Sequence, residues 1–175
     1  LVFTSFGYAL GSMFFQDFGL TAAAGFNRIA IYVPPNASTG DGLHFNRVRL
    51  YDWNVGISLN STWATNVNEC MISPVRTGIS LGSGTGSQVV KIHIRDNQIT
   101  YGTSAKGNAN KIGVSIGPTN EFNEAIHISG NSIFGFDNCV KISQATYVTI
   151  IDNDLNSFVD AIIYDTAILR HMELA

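Results

Sequence analysis

Three of the four histidines lie between two apolar residues. They are His44, His93 and His127, and Arg95 follows His93 by two positions. An imidazole can accept a proton near neutral pH, and a guanidinium can pair with a carboxylate. On a uronic acid, that pairing makes the neighbouring C5 proton more acidic. His93 or His127 is therefore a candidate base and Arg95 a candidate carboxylate partner, which is the chemistry of a polysaccharide lyase.

Acidic residues offer a second candidate chemistry. Hydrolysis of a glycosidic bond uses two carboxyl groups about 5–9.5 Å apart. Glu69 and Asp96 occupy equivalent positions in two neighbouring repeat units, and Asp152 has the same position in a later unit. These residues predict a hydrolase pair if their side chains converge. The alternative is that acidic residues beside Asn-rich turns cap backbone amides or remain solvated.

Saccharide binding relies on amides, imidazoles and aromatic rings. Trp53 lies near an outward turn, and Tyr101 stands at the start of a polar insertion that spans 100–111. The alternative interpretation is that the outward His and Asn residues are ordinary polar residues of an exposed sheet face, and that the insertion is a subunit contact or an inert loop. The candidate substrate-binding residues are His44, Asn66, Asn68, Trp53 and Tyr101.

The sequence predicts no metal site and no cofactor. Cys70 and Cys139 are far apart and lack the CxxC or Cys/His spacing of a zinc site, so we expect two buried free thiols. The tightest acidic cluster is the triplet 152–154 (Asp-Asn-Asp). It leaves calcium open as an alternative.

An internal repeat specifies the elements that must position these residues. Each unit has an apolar reference residue, and the residues five and seven positions earlier are mostly apolar too. Every second residue therefore points inward, which is the period of a strand. A second short strand follows in each unit, from Ile57/Leu59 in the first to Ile162/Tyr164 in the last. The reference residues are Leu50, Ile72, Ile99, Ile133 and Leu155.

Stacking these units about 4.8 Å apart would align the apolar residues into continuous ladders. Two positions before the reference residue, three successive units carry Asn97, Asn131 and Asn153. We expect these asparagines at a tight turn with left-handed backbone geometry, their amides bonding along the stack. The sequence thus predicts a parallel β-solenoid.

The segments 92–99 (IHIRDNQI), 126–133 (IHISGNSI) and 148–155 (VTIIDNDL) resemble the pectate-lyase-like β-helix superfamily. That superfamily includes bacteriophage tailspikes and tail-borne polysaccharide depolymerases. The resemblance covers residues 43–165. It implies an all-β, right-handed parallel β-helix of about five to six coils with a carbohydrate-directed surface. It also implies homotrimers and a location on a virion tail or outside the cell.

We predict one domain over residues 1–175, with clear coils at 43–165 and a preceding coil and loop at 1–42. In that preceding coil, Phe15, Leu20, Ile29 and Ile31 are expected to point inward. We further expect the β-helix to be incomplete at both ends, as a fragment of a longer chain would be. An apolar content of 45% supports a folded chain.

Charge and hydropathy exclude several partners. Charged residues make up 13% of the chain and the net charge is -3, so there is no basic field to bind a phosphate backbone. The apolar N-terminal stretch is interrupted by Gln16 and Asp17 before it could span a bilayer of about 30 Å. We therefore expect neither a nucleic-acid partner nor membrane insertion.

Three function classes stay open. The first is a tailspike-type β-helix that binds and depolymerises a bacterial surface polysaccharide. The second is a secreted, pectinase-like polysaccharide lyase or hydrolase. The third is a non-catalytic structural spike or adhesin segment. Fold alone does not decide among them, because different functions share one fold, so the outward-facing side chains must carry the argument.

Overall fold

The structure, a computed structural model of the 175-residue chain, describes residues 1–2, 12–22, 28–35, 42–83, 85–101, 110–117, 123–164 and 172–175. Within these residues all paired strands are parallel. The same residues contain no α-helix, and so none long and apolar enough to cross a membrane. The predicted parallel β-solenoid is confirmed.

The described strands follow one another in successive coils. Coil 1 contains β1 (Met13–Gln16), β2 (Gly19–Thr21) and β3 (Ile29–Val33). Coil 2 contains β4 (Leu43–Asn46), β5 (Arg49–Tyr51) and β6 (Val55–Leu59). Coil 3 contains β7 (Ser61–Trp63), β8 (Asn66–Asn68), β9 (Met71–Ser73) and β10 (Thr77–Leu81).

The later coils contain longer strands. Coil 4 contains β11 (Gln88–Arg95), β12 (Gln98–Thr100) and β13 (Ile112–Ile116). Coil 5 contains β14 (Asn123–Ser129) and β15 (Ser132–Ile142). Coil 6 contains β16 (Thr146–Ile151) and β17 (Asp154–Tyr164), and β18 (Met172–Leu174) pairs with β16.

These strands form three faces. Face 1 is the sheet β1-β4-β8-β11-β14-β16-β18, with β7 also paired to β11. The second sheet has the order β2-β5-β9-β12-β15-β13-β10-β6-β3, with β17 on β15. The first part of β15 pairs with β12 and its last part with β13, so this sheet folds around a corner. Face 2 is the half that contains β2, β5, β9 and β12, and face 3 is the half that contains β3, β6, β10 and β13.

The predicted inward stripes form the core. Leu50, Ile72, Ile99 and Ile133 are at most 1% exposed. In coil 1, Phe15 stacks in register on Phe45, as the sequence predicts. Further examples of buried stripe residues are Val67, Ile94, Ile128, Ile57, Ile79, Leu81, Val114 and Val140. Apolar burial along all three faces is the main favourable contribution to folding.

Tyr164 differs from its prediction as an inward residue. It lies in register with Ile142, yet it is 43% exposed. Ile142 is covered by the coil that contains Tyr164, whereas the described residues include no strand stacked beyond β17. Tyr164 is therefore exposed at the open side of the last strand of its sheet.

The turn from face 1 to face 2 carries one residue with positive φ in each coil. The sequence places left-handed geometry at Asn97, Asn131 and Asn153, and this expectation is wrong by one residue. The asparagine side chains turn inward, so the preceding residue, whose side chain points outward, takes the left-handed conformation. The positive-φ residues, with φ between 51° and 66°, are Asp17, Arg47, Glu69, Asp96, Gly130 and Asp152.

The three asparagines form the expected ladder of amides. Nδ2 of Asn97 donates to Oδ1 of Asn131 at 2.8 Å, and Nδ2 of Asn131 donates to Oδ1 of Asn153 at 2.8 Å. The backbone N–H of Asn97 also donates to Oδ1 of Asn131, at 3.0 Å. Cys70 occupies the same position one coil earlier, where its thiol donates to the Phe45 carbonyl oxygen at 3.6 Å. The ladder therefore satisfies polar groups that the turn would otherwise leave buried without partners.

A glycine near the start of each face-3 strand in coils 2 to 4 marks a close approach between face 3 and face 2. A Cβ atom at Gly78 would lie 2.5 Å from the Gly113 carbonyl oxygen and 2.6 Å from Cγ2 of Ile99. Gly56 and Gly113 have the same surroundings in their own coils. Only a residue without a side chain fits there without displacing backbone.

We expect Gly78→Ala to lower the free energy of unfolding by about 1–3 kcal/mol, because the added methyl group overpacks the core. Urea denaturation of the full chain measures this loss. Ser80→Ala, on the same strand and outside the core, is the matched control, with an expected change of about 0.5 kcal/mol or less. Equal stability of the Gly78→Ala variant and the original chain would contradict the close approach.

Candidate functional site

One column of outward side chains runs along face 1. The parallel register aligns Phe14 with His44, His44 with Asn66, and Asn66 with His93. The rings of Phe14 and His44 stack, with centroids 4.5 Å apart and planes inclined by 10°. Nδ1 of His44 lies 3.0 Å from Nδ2 of Asn66, within hydrogen-bond distance. Stacking and hydrogen bonding together hold the imidazole of His44 in place.

The column continues with a pair of stacked imidazoles. His93 and His127 are register partners, their ring centroids are 4.9 Å apart, and their planes are inclined by 10°. Each lies six positions before its reference residue, Ile99 or Ile133, so the sequence predicts this adjacency from strand spacing. Arg95 lies on the same strand as His93, two residues further along and therefore on the same side of the sheet.

A second outward column lies beside the first, towards the turn to face 2. Asn46, Asn68 and Arg95 are register partners in successive coils. Nδ2 of Asn68 donates to Oδ1 of Asn46 at 3.4 Å. The Arg95 side chain is exposed and forms no ion pair with the described residues. Its guanidinium is thus available to a ligand.

A surface groove of about 330 Å³, which we call the face-1 groove, spans these two columns in the first four coils. It brings together four of the ten predicted site residues: His44, Asn66, Asn68 and Arg95. It also contains the ring of Phe14, which is 69% exposed. The other residues that line it are Phe15, Gln16, Phe45 and Asn46.

The environment of His93 lowers its pKa. Burial lowers the pKa of His93 below its ordinary value of 6.5, and the neighbouring His127 and Arg95 lower it further. The imidazole is therefore neutral at pH 7 and able to accept a proton.

Glu69 and Asp96 do not face each other. Glu69 reaches towards the preceding coil, where its Oε2 lies 3.9 Å from Nη1 of Arg47. Asp96 leans towards the following coil, where its carboxylate lies against Gly130. The two carboxylates thus engage neighbours on opposite sides, and their role as a hydrolase pair stays a prediction.

The predicted aromatic candidates lie away from the face-1 groove. The Trp53 indole N–H donates to the Leu20 carbonyl oxygen at 3.1 Å, and its ring packs against the core. The Tyr101 ring lies 4.5 Å below the Lys111 ammonium and packs against Gly135. Both rings thus have protein partners, and their role in sugar binding stays a prediction.

Sequence reasoning missed Phe14 as a site residue. The segment Met13-Phe14-Phe15-Gln16 has the alternation of 43–46 (LHFN), and this similarity places Phe14 outward, beside His44. Trp63, another aromatic residue outside the face-1 groove, is 52% exposed on β7.

Most of the polar insertion at 100–111 lies outside the described residues. Within the described part, no group of three or more His, Cys, Asp or Glu side chains is placed to hold a metal ion. Asn153, in the middle of the acidic triplet, donates to the Ile128 carbonyl oxygen at 2.8 Å. Cys70 and Cys139 are buried free thiols, as predicted, and burial raises the pKa of each to about 11.

Comparison with known proteins adds no relative. No family model, no curated protein and no solved structure matches this chain. The structure itself establishes the parallel β-solenoid fold. Any finer assignment depends on the groove and its side chains.

Proposed function

We propose that this chain is a carbohydrate-directed β-helix of the phage tailspike type, which binds a bacterial surface polysaccharide in the face-1 groove. The observation that carries the proposal is the convergence of His44, Asn66, Asn68 and Arg95 beside an exposed Phe14 ring. The sequence resemblance to tailspikes points in the same direction.

The side chains of the groove complement a sugar. Amides and imidazoles donate to and accept from hydroxyl groups, and an aromatic ring can cover the apolar face of a pyranose. His44 is held by Phe14 on one side and Asn66 on the other. Such prior ordering lowers the entropy that binding must overcome.

Arg95 indicates which sugars the face-1 groove takes. Its guanidinium can form a bidentate pair with a planar carboxylate, and no carboxylate lines this groove in the described structure. A polysaccharide that contains a uronic acid would therefore bind more tightly than a neutral one.

A second candidate function, cleavage by a lyase reaction, is favoured by the neutral His93 beside Arg95. Arg95 would pair with the uronate carboxylate while His93 accepts the C5 proton. The electrons of the C5–H bond would form the C4=C5 double bond, and the C4–O bond would break. The departing glycosidic oxygen would leave with a proton from solvent or from an acid in the site.

Homotrimers and a location on a virion tail or outside the cell are part of this proposal, and the tailspike resemblance alone supports them. A secreted pectinase-like monomer and a non-catalytic spike or adhesin segment are the other function classes. Sedimentation analysis separates the tailspike type from the pectinase-like monomer, since a trimer opposes the monomer.

We expect Arg95→Ala to weaken binding of acidic polysaccharides about 10- to 100-fold, because a charge-assisted hydrogen bond is worth roughly 1.5–3 kcal/mol. Titration calorimetry with a panel of capsular and O-antigen polysaccharides and homogalacturonan measures the dissociation constant. Thr149→Ala, in the outward column beside that of Arg95 and outside the face-1 groove, is the matched control.

The control variant is expected to bind within about 2-fold of the original chain, a change of about 0.4 kcal/mol. Equal losses in both variants would contradict recognition by Arg95. Absence of binding to every member of the panel would oppose the proposed function itself.

A further inference from the structure

A second groove lies at the turn from face 1 to face 2, in coils 1 to 3. This corner groove has a volume of about 580 Å³, within the range of about 300–1,000 Å³ that is typical of small-molecule sites. Its charged residues nearest face 1 are Asp17, Arg47 and Glu69. Each directly follows a residue that lines the face-1 groove, namely Gln16, Asn46 or Asn68. The two grooves are therefore neighbours on the same coils.

An ion-pair ladder orders the charged side of the corner groove. Nε and Nη2 of Arg47 donate to the two carboxylate oxygens of Asp17 at 2.7 and 2.8 Å. This bond lowers the pKa of the Asp17 carboxyl, so both partners remain charged at neutral pH. Glu69 lies on the other side of Arg47, and Nδ2 of Asn68 donates to its Oε1 at 3.3 Å. All three charged side chains are about half exposed, so their remaining hydrogen-bonding capacity faces solvent.

The opposite side of the corner groove lies on face 2. Arg49 is exposed there and forms no ion pair with the described residues. Phe18 and Met71 supply apolar surface beside it. The Tyr51 hydroxyl donates to the Met71 sulfur at 2.9 Å, which anchors the thioether.

The charges of the corner groove cancel. Two guanidinium groups, Arg47 and Arg49, face two carboxylates, Asp17 and Glu69. An anionic ligand would meet both carboxylates, and a cationic ligand would meet both guanidinium groups. A neutral ligand with several hydroxyl groups can instead donate to the carboxylates and accept from Arg49, while its apolar face covers Phe18 and Met71.

Gly19 keeps this groove open. Its φ is not in the left-handed region, and a Cβ atom there would have ordinary contacts of 3.5 and 3.7 Å with Arg49. Neither backbone conformation nor packing therefore requires glycine at this position. The absence of a side chain leaves the space between Phe18 and Arg49 empty, where a larger residue would fill the groove.

We propose that the corner groove is a second saccharide subsite, which takes a neutral pyranose residue of the glycan held in the face-1 groove. The inference rests on the proposed function and deepens it. The glycan crosses from face 1 to face 2 over coils 1 to 3, so it runs along the strands and around the corner. One repeating unit thus presents an acidic residue to Arg95 and a neutral residue to Arg49.

The three methionines allow a direct test in the full chain. With ¹³C-methyl methionine labelling, Met71 reports on the corner groove, and Met13 and Met172 serve as internal references. Probes are cello-, manno- and galacto-oligosaccharides of one to six residues, together with oligogalacturonates. We expect at least one neutral series to shift the Met71 methyl signal saturably and to leave Met172 unchanged.

Gly19→Leu should fill the groove and weaken this neutral-sugar binding at least about 10-fold, equivalent to about 1.4 kcal/mol. Thr21→Leu places the same leucine side chain on the same strand but outside the groove, and should leave the dissociation constant within about 2-fold. Arg49→Ala, which removes the free guanidinium without adding volume, should also weaken binding. Circular dichroism melting curves establish that each variant is folded.

Equal effects of Gly19→Leu and Thr21→Leu would overturn the subsite. So would an unmoved Met71 methyl signal while the His44 ring signals respond to a sugar, although the face-1 proposal would then stand. If no sugar moves either the histidine or the methionine signals, both proposals fail.

Discussion

Asn131→Ala is expected to lower the free energy of unfolding by about 3–5 kcal/mol, because each buried polar group left without a partner costs roughly 1–3 kcal/mol. Domains of ordinary stability unfold at about 5–15 kcal/mol, so this single truncation would remove a large part of the total. Chemical denaturation followed by circular dichroism measures the loss.

The size of the effect follows from the position of Asn131 in the middle of the amide ladder. Its Oδ1 accepts from both the backbone N–H and the Nδ2 of Asn97. Its Nδ2 donates to Asn153 and to the carbonyl oxygens of Ile94 and Ser129, at 2.9 and 3.0 Å. Asn131 is 1% exposed, so water cannot replace these bonds without opening the stack.

Asn46→Ala is the matched control for this experiment. Asn46 lies outward on face 1, and its side-chain oxygen accepts one long bond of 3.4 Å from Asn68. Its truncation should cost about 1 kcal/mol or less. Comparable losses in the two variants would mean that the ladder contributes no more than an ordinary surface amide.

The ladder also indicates how far sequence reasoning reaches in this fold. Alternation and alignment placed Asn97, Asn131 and Asn153 in one column, because every inward position of a parallel solenoid repeats in each coil. The same pattern carries no information on φ, which is why the left-handed residue was assigned one position too late. Asp96 adopts the left-handed conformation instead, because its side chain points outward and does not have to fit inside the turn.

The sequence likewise predicts one part of the candidate site and not another. Strand period and register predicted that His93 would neighbour His127, and that His44 and Asn66 would share a column. The directions of Glu69 and Asp96 were not predictable, since they depend on Arg47 in one neighbouring coil and on Gly130 in another. Contacts of this kind between coils determine the side-chain direction of turn residues. A two-residue period does not specify these contacts.

Gly19 illustrates the limit most clearly. From the sequence, a glycine in a short strand indicates a weakened strand or a bend. Only the surroundings of its missing side chain reveal an open groove instead of a strained backbone. Functional openings of this kind are properties of empty space, which residue patterns describe poorly.

Under the lyase candidate, His93→Gln is expected to lower the rate of unsaturated uronate formation about 100- to 10,000-fold, the usual contribution of a general base. Glutamine retains hydrogen-bonding capacity but cannot accept the proton. Ultraviolet absorbance of the unsaturated product measures the rate on the acidic polysaccharide that binds best. Thr149→Gln, two coils further along the same column, is the control and should keep the original rate.

The pH dependence gives this prediction its sharpest form. Because burial, His127 and Arg95 lower the pKa of His93 below 6.5, kcat/KM should rise with pH through an apparent pKa below 6.5 and level off near neutrality. His127→Asn removes one of these causes, so its acid limb should move to higher pH. The same lowered pKa makes the folded state bind protons less readily than the unfolded state. The stability that neutral His93 contributes is therefore complete above about pH 6.5 and is lost as the pH falls through the folded-state pKa. An acid limb that stays in place in both the His93→Gln and the His127→Asn variants would assign the proton transfer to a different group.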